Sequence, residues 1–556
     1  MTFMKRSFLL SLLMMVIAAA SAAPKADYAK VVPVPDKIVP NAKGGSYELS
    51  ASTRIYYTSG QADMARNAQF LAQYIKDMTK LSLTPAAVKG KGKDGISLVL
   101  APKAKFAPEA YEISVDKKGV TITGKTAAGV FYGIQTLRKS LPILQSAEAV
   151  ELPAARVEAA PRFGYRGMML DCSRHFFPVK FVKEYIDLIA LHNMNRLHWH
   201  ISDDQGWRFS VPGYPKLTEV GSKRAQTVLG HNSEVEDGTP YGGYYTDDEI
   251  RDIVKYAAER YITIVPEVDM PGHMMAALAS YPELGCTGGP YKTGEYWGVY
   301  PDILCAGNEK VYSFIKDVLN HVCDLFPGQY IHIGGDESPR VRWEHCPKCQ
   351  AMIAKLGLKD KDGQAKEALL QGYFANRVQK YLETKGRRVI GWDELLGCDV
   401  DTSATIMSWR GAEPGAKGAA LGHDVIMSPS TSLYFDHYQS KNTGEEPMAI
   451  GGFSDVKNVY NTEPVAPELD AKAKAHIIGV QANLWTEYIT SPNYAEYMVL
   501  PRMAALTEVQ WLQPSEKNYD AFVKRADSLR HIYELYGYTY AHHLWPAEFR
   551  KEAKKY

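Results

Sequence analysis

The sequence predicts an α/β fold in which a (β/α)8 barrel, the TIM barrel, follows a small α+β domain. From Phe163 onward, eight short apolar segments alternate with segments of helical period, as parallel strands joined by helical crossovers do. Each apolar segment ends in polar or aromatic residues, where such a barrel places its ligand site. Before Ala160 strand and helix patterns are mixed, and Pro153 and Pro161 mark the change. The chain is therefore divided into residues 1–23, 24–160 and 161–556.

The composition is that of a folded protein without a polyanionic partner. Of the 556 residues, 46% are hydrophobic, which is enough for a large core. Lysine and arginine number 64 against 63 aspartates and glutamates, and this balance argues against nucleic acid as a partner.

The first 23 residues are predicted to be an export signal. Lys5 and Arg6 precede an apolar run over residues 8–20, and Ala20-Ser21-Ala22 forms a small-residue cleavage site. No cysteine follows that could carry a lipid, and no later stretch is long and apolar enough for a membrane span. We therefore expect a protein without a membrane span that is exported and is periplasmic or secreted.

Residues 24–160 are predicted to form the α+β domain. Apolar residues recur at helical spacing from Met64 to Met78, and a second helix is predicted at 127–141. Strands are predicted at 96–100, 111–115 and 120–123, the last two as a hairpin. Because this segment has no cluster of catalytic residue types, we expect the functional site in the barrel.

The barrel strands are predicted from short apolar runs at residues 165–171, 196–202, 262–268, 330–334, 388–392, 405–409, 424–428 and 477–484. Helices with one apolar face lie between them, and the helix predicted at 247–260 begins at a capping box of Thr246 and Glu249. The sixth and seventh helices have the weakest pattern, since residues 411–422 are rich in Gly and Ala. A closing helix is predicted at 518–536.

The residues just past the strands form one set, because a barrel of this kind brings its strand ends together at one face. All eight ends carry groups suited to ligand contact. The candidate site residues are Arg174, Asp203, His273, Asp336, Glu337, Trp392, Trp409, Tyr434, Asp436, Trp485 and Glu487.

Asp336 and Glu337, past the fourth predicted strand, are the central candidates. Gly334 and Gly335 precede them and allow the backbone to turn sharply or to approach a ligand. Two adjacent carboxylates repel each other, which favours protonation of one of them and hence acid–base chemistry. An isolated Asp-Glu pair more commonly lies in a solvated loop, but the seven other strand ends favour a site.

These residue types indicate hydrolysis of a sugar. Tryptophans at three strand ends can enclose a pyranose ring, arginine and carboxylates can bind its hydroxyls, and a protonated carboxylic acid can donate to a glycosidic oxygen. The usual retaining mechanism needs two carboxyl groups about 5 Å apart across the bond. Adjacent residues at one strand end meet this requirement poorly, so Asp336 needs another role.

The sequence resembles the β-N-acetylhexosaminidases of glycoside hydrolase family 20 over nearly its whole length after the predicted signal. The α+β segment is also similar to the non-catalytic domain that precedes the barrel in that family. The motifs that carry the resemblance are Arg166-Gly167 through Asp171-x-Ser173-Arg174-His175, His198-Trp199-His200-x-x-Asp203-Asp204-Gln205, Pro266-Glu267-x-Asp269-x-Pro271-Gly272-His273 and His332-x-Gly334-Gly335-Asp336-Glu337.

The resemblance implies an exo-acting retaining hydrolase that removes terminal, non-reducing β-linked N-acetylglucosamine or N-acetylgalactosamine by substrate-assisted catalysis. The substrate's 2-acetamido oxygen would attack the anomeric carbon and give an oxazolinium ion. Glu337 would act first as acid and then as base, and Asp336 would bind the acetamido N–H. The implied partner is a glycan or amino-sugar oligosaccharide. Neither a cofactor nor a metal is implied, and the oligomeric state is left open.

The same resemblance implies roles for the other candidates. Arg174, helped by Glu487, would bind ring hydroxyls, while Asp203 and His273 would support Glu337. The remaining residues would surround the sugar and its acetamido group, with Tyr434 as donor to the acetamido oxygen and Asp436 at a hydroxyl; the tryptophans of this set are Trp392, Trp409 and Trp485.

Three other functions agree with part of the pattern. A sugar-binding protein would keep the pocket without turnover, although both carboxylates are present. An ordinary retaining glucosidase would cleave glucosides that lack the acetamido group. A metallohydrolase would leave the tryptophans unexplained; its ligands would come from His198, His200, His273, His332 and Asp336.

Seven cysteines are too few to hold a fold of this length by disulfides. Cys286 and Cys305 bracket a Gly/Tyr-rich loop and form one candidate disulfide. Cys346-x-x-Cys349 is compatible with a local disulfide or with half of a zinc site, for which the sequence offers no second C-x-x-C pair.

Overall fold

The computed structural model describes residues 23–361 and 363–545. The predicted export signal thus lies outside the described residues, apart from its last residue, and stays a prediction. Within the described ranges, the helices lack the combination of length and apolar character that a bilayer span requires.

The N-terminal part is a mixed sheet with two helices, as predicted. Its elements are β1 (Lys37–Pro40), β2 (Ser46–Ser50), β3 (Arg54–Thr58), α1 (Ala62–Thr79), β4 (Thr84–Val88), β5 (Gly95–Leu100), β6 (Tyr111–Asp116), β7 (Gly119–Gly124), α2 (Ala127–Ser140), β8 (Ala149–Pro153) and β9 (Ala155–Ala159). Seven strands form a sheet in the order β1-β9-β6-β7-β5-β3-β4, and β2 pairs with β8. The predicted hairpin is the antiparallel pair β6 and β7. Helices α1 and α2 pack against each other and against this sheet.

The second part is a closed eight-stranded barrel. The strands that follow β9 are β10 (Tyr165–Asp171), β11 (Arg196–His200), β12 (Ser202–Asp203), β13 (Gly206–Trp207), β14 (Lys223–Arg224), β15 (Tyr241–Gly242), β16 (Thr263–Glu267), β17 (Tyr330–His332), β18 (Arg388–Trp392), β19 (Thr405–Ser408), β20 (Val425–Met427) and β21 (Ile477–Ala482). Strands β10, β11 and β16 to β21 close the barrel, and each neighbouring pair in it is parallel. This arrangement confirms the predicted TIM barrel.

Helices connect the barrel strands, and further helices follow the last strand. In chain order they are α3 (Val179–Leu191), α4 (Lys216–Glu219), α5 (Asp247–Ala258), α6 (Met275–Ser280), α7 (Glu309–Leu325), α8 (Val341–His345), α9 (Pro347–Leu356), α10 (Lys366–Glu383), α11 (Ala412–Leu421), α12 (Ser430–Leu433), α13 (Val456–Asn461), α14 (Ala471–Ala475), α15 (Pro492–Val499), α16 (Arg502–Trp511) and α17 (Tyr519–Tyr536). The predicted capping box forms at α5, where Thr246 and Glu249 satisfy each other's backbone N–H groups.

Strand β17 ends at His332, two residues before its predicted end. Gly334 and Gly335 leave the extended region, with φ values of 65° and 99°. A Cβ at Gly334 would lie 1.7 Å from Oδ1 of Asp269. The loop after β16 is therefore so close to this turn that only glycine fits at position 334. The N–H of Gly335 donates to the same Asp269 oxygen at 3.1 Å, and Gln371 of α10 donates to the Gly335 carbonyl at 2.8 Å. The turn that leads to Asp336 is therefore held from two sides.

Replacing Gly334 by alanine is expected to destabilise the protein by about 2–5 kcal/mol, because the added methyl group is both strained at positive φ and in collision with Asp269. Chemical denaturation monitored by tryptophan fluorescence measures this. Gly386→Ala is the matched control, since Gly386 has φ 69° but its Cβ would meet nothing within 4 Å. The control is expected to cost about 1 kcal/mol, and equal losses in both variants would show that the approach of Asp269 is unimportant.

Buried polar contacts attach the N-terminal domain to the barrel. Arg166, at the start of β10, donates to Glu109 at 2.7 Å. Lys139 of α2 donates to the Leu191 carbonyl at 2.9 Å and to Oδ1 of Asn193 at 3.1 Å, just before β11. Because these barrel residues lie at or before the first residues of strands, the N-terminal domain packs at the end of the barrel away from the strand carboxyl ends.

Candidate active site

A cavity of about 450 Å³ opens at the carboxyl ends of the barrel strands. Two predicted site residues, Asp203 and Trp392, do not line it; they lie buried among the residues beneath it, each 1% exposed. The structure brings the other nine predicted residues together in its lining: Arg174, His273, Asp336, Glu337, Trp409, Tyr434, Asp436, Trp485 and Glu487.

Glu337 is the more accessible of the two adjacent acids, with a side chain that is 42% exposed. Its Oε2 lies 3.5 Å from Nε2 of His273, whose Nδ1 is 2.9 Å from Asp204 and 3.2 Å from Asp203. Asp203 therefore contacts Glu337 only indirectly, through the His273 ring that lies between them. Burial disfavours the charged ring, but the carboxylates of Asp203 and Asp204 outweigh it and raise the pKa of His273 well above its usual value. The hydrogen bond from His273 in turn lowers the pKa of Glu337.

Asp336 is buried beside a second carboxyl group, that of Asp269. The two carboxyl groups and the His273 ring offer oxygen and nitrogen atoms within 4.8 Å of one another. Burial, and then the charge of Asp269, raise the pKa of Asp336 well above its usual value, and burial raises the pKa of Asp269 to about 7. The pair therefore retains a proton near neutral pH. A ligand N–H placed against Asp336 would favour its ionised form, because only the carboxylate is a pure acceptor.

Arg174 supplies a fixed positive charge at the cavity wall. Its guanidinium lies 2.9 Å from Asp203, 3.3 Å from Asp171 and 3.9 Å from Glu487, and it sits over the Trp485 ring at 5.0 Å. Burial opposes the charge, but these carboxylates raise the pKa of Arg174 well above its usual value. The arginine and Glu487 together offer donors and an acceptor for hydroxyl groups.

Aromatic rings form another part of the cavity wall. Trp409 and Tyr434 stack at 6.0 Å with 18° between their planes, and Trp485 lies 6.3 Å from Tyr434. Trp392 packs beneath Trp485 at 5.8 Å, so it supports this wall from below. The indole N–H of Trp409 donates a hydrogen bond to the Glu394 carboxylate at 3.0 Å. Such a box of ring faces fits a pyranose or a methyl group.

The histidines of the metallohydrolase alternative do not meet at one open site. His198 and His332 approach the Glu267 carboxylate at 2.9 Å and 3.0 Å, and His200 also bonds to it. All of these side chains are fully buried beneath the cavity floor, whereas His273 lies in the wall. A metal held at Glu267 would have no open position for water, which a catalytic metal requires.

The sequence alone assigns no role to several residues of the site. Asp204 and Asp269 stand inside the recognised motifs, and their position next to strand ends was a usable signal. His437 and Tyr488 directly follow the predicted residues Asp436 and Glu487. Residues that come from long loops give no such signal, because no periodicity or strand end fixes where a loop residue lies; those in the cavity lining are Asn232, Trp297, Gly298, Val299 and Ile450.

Comparison with known families matches both parts of the chain. Residues 163–514 match the family described as "Glycosyl hydrolase family 20, catalytic domain". Residues 28–158 match "Glycosyl hydrolase family 20, domain 2".

Individual proteins agree with these matches. The chain is 40% identical over 516 residues to a β-hexosaminidase of Porphyromonas gingivalis, covering 92% of this chain and 64% of that protein. A mutant Streptomyces plicatus β-hexosaminidase in complex with the product GlcNAc has a TM-score of 0.79 at 32% identity, over 94% of this chain and 98% of that one. An exo β-N-acetylglucosaminidase from Vibrio harveyi in complex with N-acetylglucosamine has a TM-score of 0.81 at 29% identity, over 94% and 80%.

Proposed function

Since the chain belongs to glycosyl hydrolase family 20 and carries the catalytic domain of a β-hexosaminidase, we propose that it is an exo-acting retaining enzyme that removes terminal, non-reducing β-linked N-acetylglucosamine or N-acetylgalactosamine from glycans. The observation that carries this proposal is the cavity in which Asp336 and Glu337 face an aromatic box formed by Trp409, Tyr434 and Trp485. A box of ring faces suits the 2-acetamido group. The adjacent carboxyl groups suit an acceptor for the acetamido N–H and a proton donor for the leaving oxygen.

In the first step the acetamido oxygen of the bound sugar attacks the anomeric carbon, and the bond to the leaving oxygen breaks. Glu337 donates its proton to that oxygen. Asp336 accepts a hydrogen bond from the acetamido N–H, which orients the oxygen and offsets the positive charge that develops on the ring. Tyr434 donates to the acetamido oxygen. The product of this step is a bicyclic oxazolinium ion.

In the second step Glu337, now ionised, takes a proton from water, and the water oxygen attacks the anomeric carbon. The oxazoline ring opens and the acetamido group is restored. Two inversions at one carbon give net retention of the β configuration. No carboxylate of the enzyme bonds to the sugar, which explains why the two acids can stand side by side on one turn.

Exo action follows from the polar end of the cavity. Arg174, Asp436 and Glu487 line it together, and their donors and acceptors suit the hydroxyls of a non-reducing terminal sugar. The half-exposed Glu337 lies where the remainder of the glycan would leave toward solvent.

A substrate panel tests the proposal. 4-Nitrophenyl β-glycosides of N-acetylglucosamine and N-acetylgalactosamine are expected to be hydrolysed with the β-hemiacetal as first product, observed by NMR. The corresponding glucoside is expected to react at least about 10³-fold more slowly, because it lacks the internal nucleophile. A thiazoline analogue of the cyclic intermediate is expected to inhibit competitively.

Other results would replace the proposal. Efficient glucoside turnover would indicate an ordinary retaining glucosidase. Binding of the sugars without release of nitrophenol would indicate a sugar-binding protein. Loss of activity with a chelator and its recovery with zinc would support the metallohydrolase. A zinc ion at a structural site could give the same result, and metal analysis of active-site variants distinguishes the two cases, because only a catalytic zinc would be lost from those variants.

We also propose that the protein is exported and acts in the periplasm or outside the cell. The support is the signal-like sequence of residues 1–23, with its basic start, apolar run and small-residue site. Cell fractionation is expected to find the activity outside the cytoplasm, with a chain that begins after residue 22 or 23.

A further inference from the structure

Four cysteines from two separate loops meet at one point outside the active site. Cys286 and Cys305 belong to the long segment between α6 and α7, whereas Cys346 is the N-cap residue of α9 and Cys349 lies in the first turn of that helix. Their four Sγ atoms all lie within 4.8 Å of one another. Cys305, Cys346 and Cys349 are buried and Cys286 is half-buried. The sequence shows no second C-x-x-C pair beside Cys346 and Cys349. The fold supplies the second pair of thiols by bringing Cys286 and Cys305 to the same place.

Three of the six sulfur–sulfur distances match those of a tetrahedral thiolate site. Cys305 lies 3.7 Å from Cys346 and 3.6 Å from Cys349, and Cys286 lies 3.9 Å from Cys349. Zinc bound to four thiolates at about 2.3 Å places neighbouring sulfurs about 3.8 Å apart. A disulfide would need about 2.05 Å, and none of the seven cysteines, all of which lie in the described part of the chain, is in a disulfide. We propose that Cys286, Cys305, Cys346 and Cys349 bind one structural Zn²⁺ ion.

Backbone groups and the start of a helix lie against the sulfurs. The backbone N–H of Gly307 is hydrogen-bonded to the sulfurs of Cys305 and Cys349. A Cβ at Gly307 would lie 2.2 Å from the backbone of Lys348, so the two loops touch here as closely as glycine allows. The start of α9 adds the positive end of a helix dipole at Cys346 and Cys349. Hydrogen bonds and a helix terminus of this kind are what a site rich in thiolate requires.

The proposed ion would join two loops of the active-site face. The loop between Cys286 and Cys305 carries Trp297 and Val299, which line the cavity. The helix α8, which leads to Cys346, begins four residues after Glu337, and its Trp343 donates to the Leu304 carbonyl at 3.0 Å. The zinc thus fixes an outer wall of the cavity to the segment that follows the catalytic acid. Its role is structural, since four cysteines leave no open coordination position.

Metal analysis and thiol chemistry of the full-length protein test this proposal. The protein is purified without reductant or chelator, and its metals are measured by inductively coupled plasma mass spectrometry. The expected result is about one equivalent of zinc per chain. Alkylation in denaturant with EDTA, but without reductant, is expected to label all four cysteines.

Single variants identify the ligands. Cys305→Ser and Cys286→Ser are each expected to lower the zinc content at least tenfold and to lower Tm. Cys323→Ser is the matched control, because this half-buried cysteine of α7 is outside the cluster, and it should keep the metal. If Cys305→Ser does not fold, the half-buried Cys286→Ser provides the readout. Glu337→Gln is expected to keep about one equivalent of zinc per chain. The zinc content therefore tests the metal site separately from the proposed reaction.

Three outcomes would overturn the proposal. Peptide mapping could find disulfides among the four cysteines, which an oxidising compartment favours over free thiols. The thiols could all be alkylated in protein that contains no zinc even after zinc is supplied. Stoichiometric iron with a visible absorption band would assign the site to a different metal.

Discussion

Glu337→Gln is expected to lower kcat/KM by about 10²–10⁴-fold on chitobiose and other substrates with alcohol leaving groups. The amide keeps the size of the side chain and loses the proton that the leaving oxygen needs. With a 2,4-dinitrophenyl glycoside, whose leaving group departs without a proton, the loss in the bond-breaking step is expected to be roughly tenfold or less. Steady-state and pre-steady-state kinetics on both substrates measure the difference.

The pH profile gives a second readout of the same variant. Glu337 must carry a proton to act as acid, and the hydrogen bond from His273 lowers its pKa. Wild-type kcat/KM on alcohol leaving groups is therefore expected to fall as pH rises through that lowered pKa, so that activity is highest on the acid side of neutrality. This descending limb is expected to disappear in Glu337→Gln.

Glu487→Gln is the matched control for Glu337→Gln. It makes the same chemical change near Arg174, where Glu487 lies 3.9 Å from the guanidinium. Its loss of activity is expected to be the same for good and poor leaving groups, because a hydroxyl contact does not depend on the leaving oxygen. If Glu337→Gln also loses activity equally on both substrates, Glu337 is not the acid.

Asp336→Asn is expected to lower kcat by about 10²–10³-fold while it changes the affinity for GlcNAc much less. The carboxylate matters most when the acetamido group becomes positively charged, and an amide cannot offset that charge. The affinity for a thiazoline analogue is therefore expected to fall more than the affinity for GlcNAc. Inhibition constants for both ligands measure this. Asp436→Asn, a buried carboxyl group in the same cavity, is expected mainly to raise KM.

The stability of Asp336→Asn separates a mechanistic loss from a folding defect. Burial and the neighbouring Asp269 raise the pKa of Asp336 in the folded state. The unfolded chain therefore binds fewer protons at this residue, and its contribution to stability falls as pH rises above the unfolded pKa toward the folded one. Removing the acid is expected to leave Tm unchanged at low pH and to raise it at neutral and higher pH. A lower Tm at all pH values, together with lost affinity for both ligands, would show that Asp336 serves the fold.

The barrel was predictable because parallel strands buried on both faces appear in the sequence as short apolar runs. Two predicted strands, Tyr165–Asp171 and Arg388–Trp392, have the observed bounds. The weak pattern of α11 has a physical cause. A Cβ at Gly415 would lie 2.4 Å from Sδ of Met427, so this helix packs against β20 through its glycines instead of through large apolar residues.

The parts of the structure that were not predictable depend on contacts between distant loops. The position of Arg174 or Glu337 followed from the barrel rule, because both stand just past a strand. Trp297 lies far from any barrel strand in sequence, and only the folded loop brings it to the cavity. The meeting of Cys305 with Cys346, 41 residues further along, is of the same kind.

The contacts between the two domains limit how freely the barrel could be exchanged between proteins. Arg166 is fully buried in the first barrel strand, and the carboxylate opposite its charge, Glu109, belongs to the N-terminal domain. A foreign domain that covered Arg166 without a carboxylate would bury a guanidinium that has no counter-ion, which carries a severe penalty in a protein interior. Although the candidate active site lies at the far end of the barrel, recombination of this barrel with a foreign N-terminal domain would thus require a carboxylate at the position of Glu109.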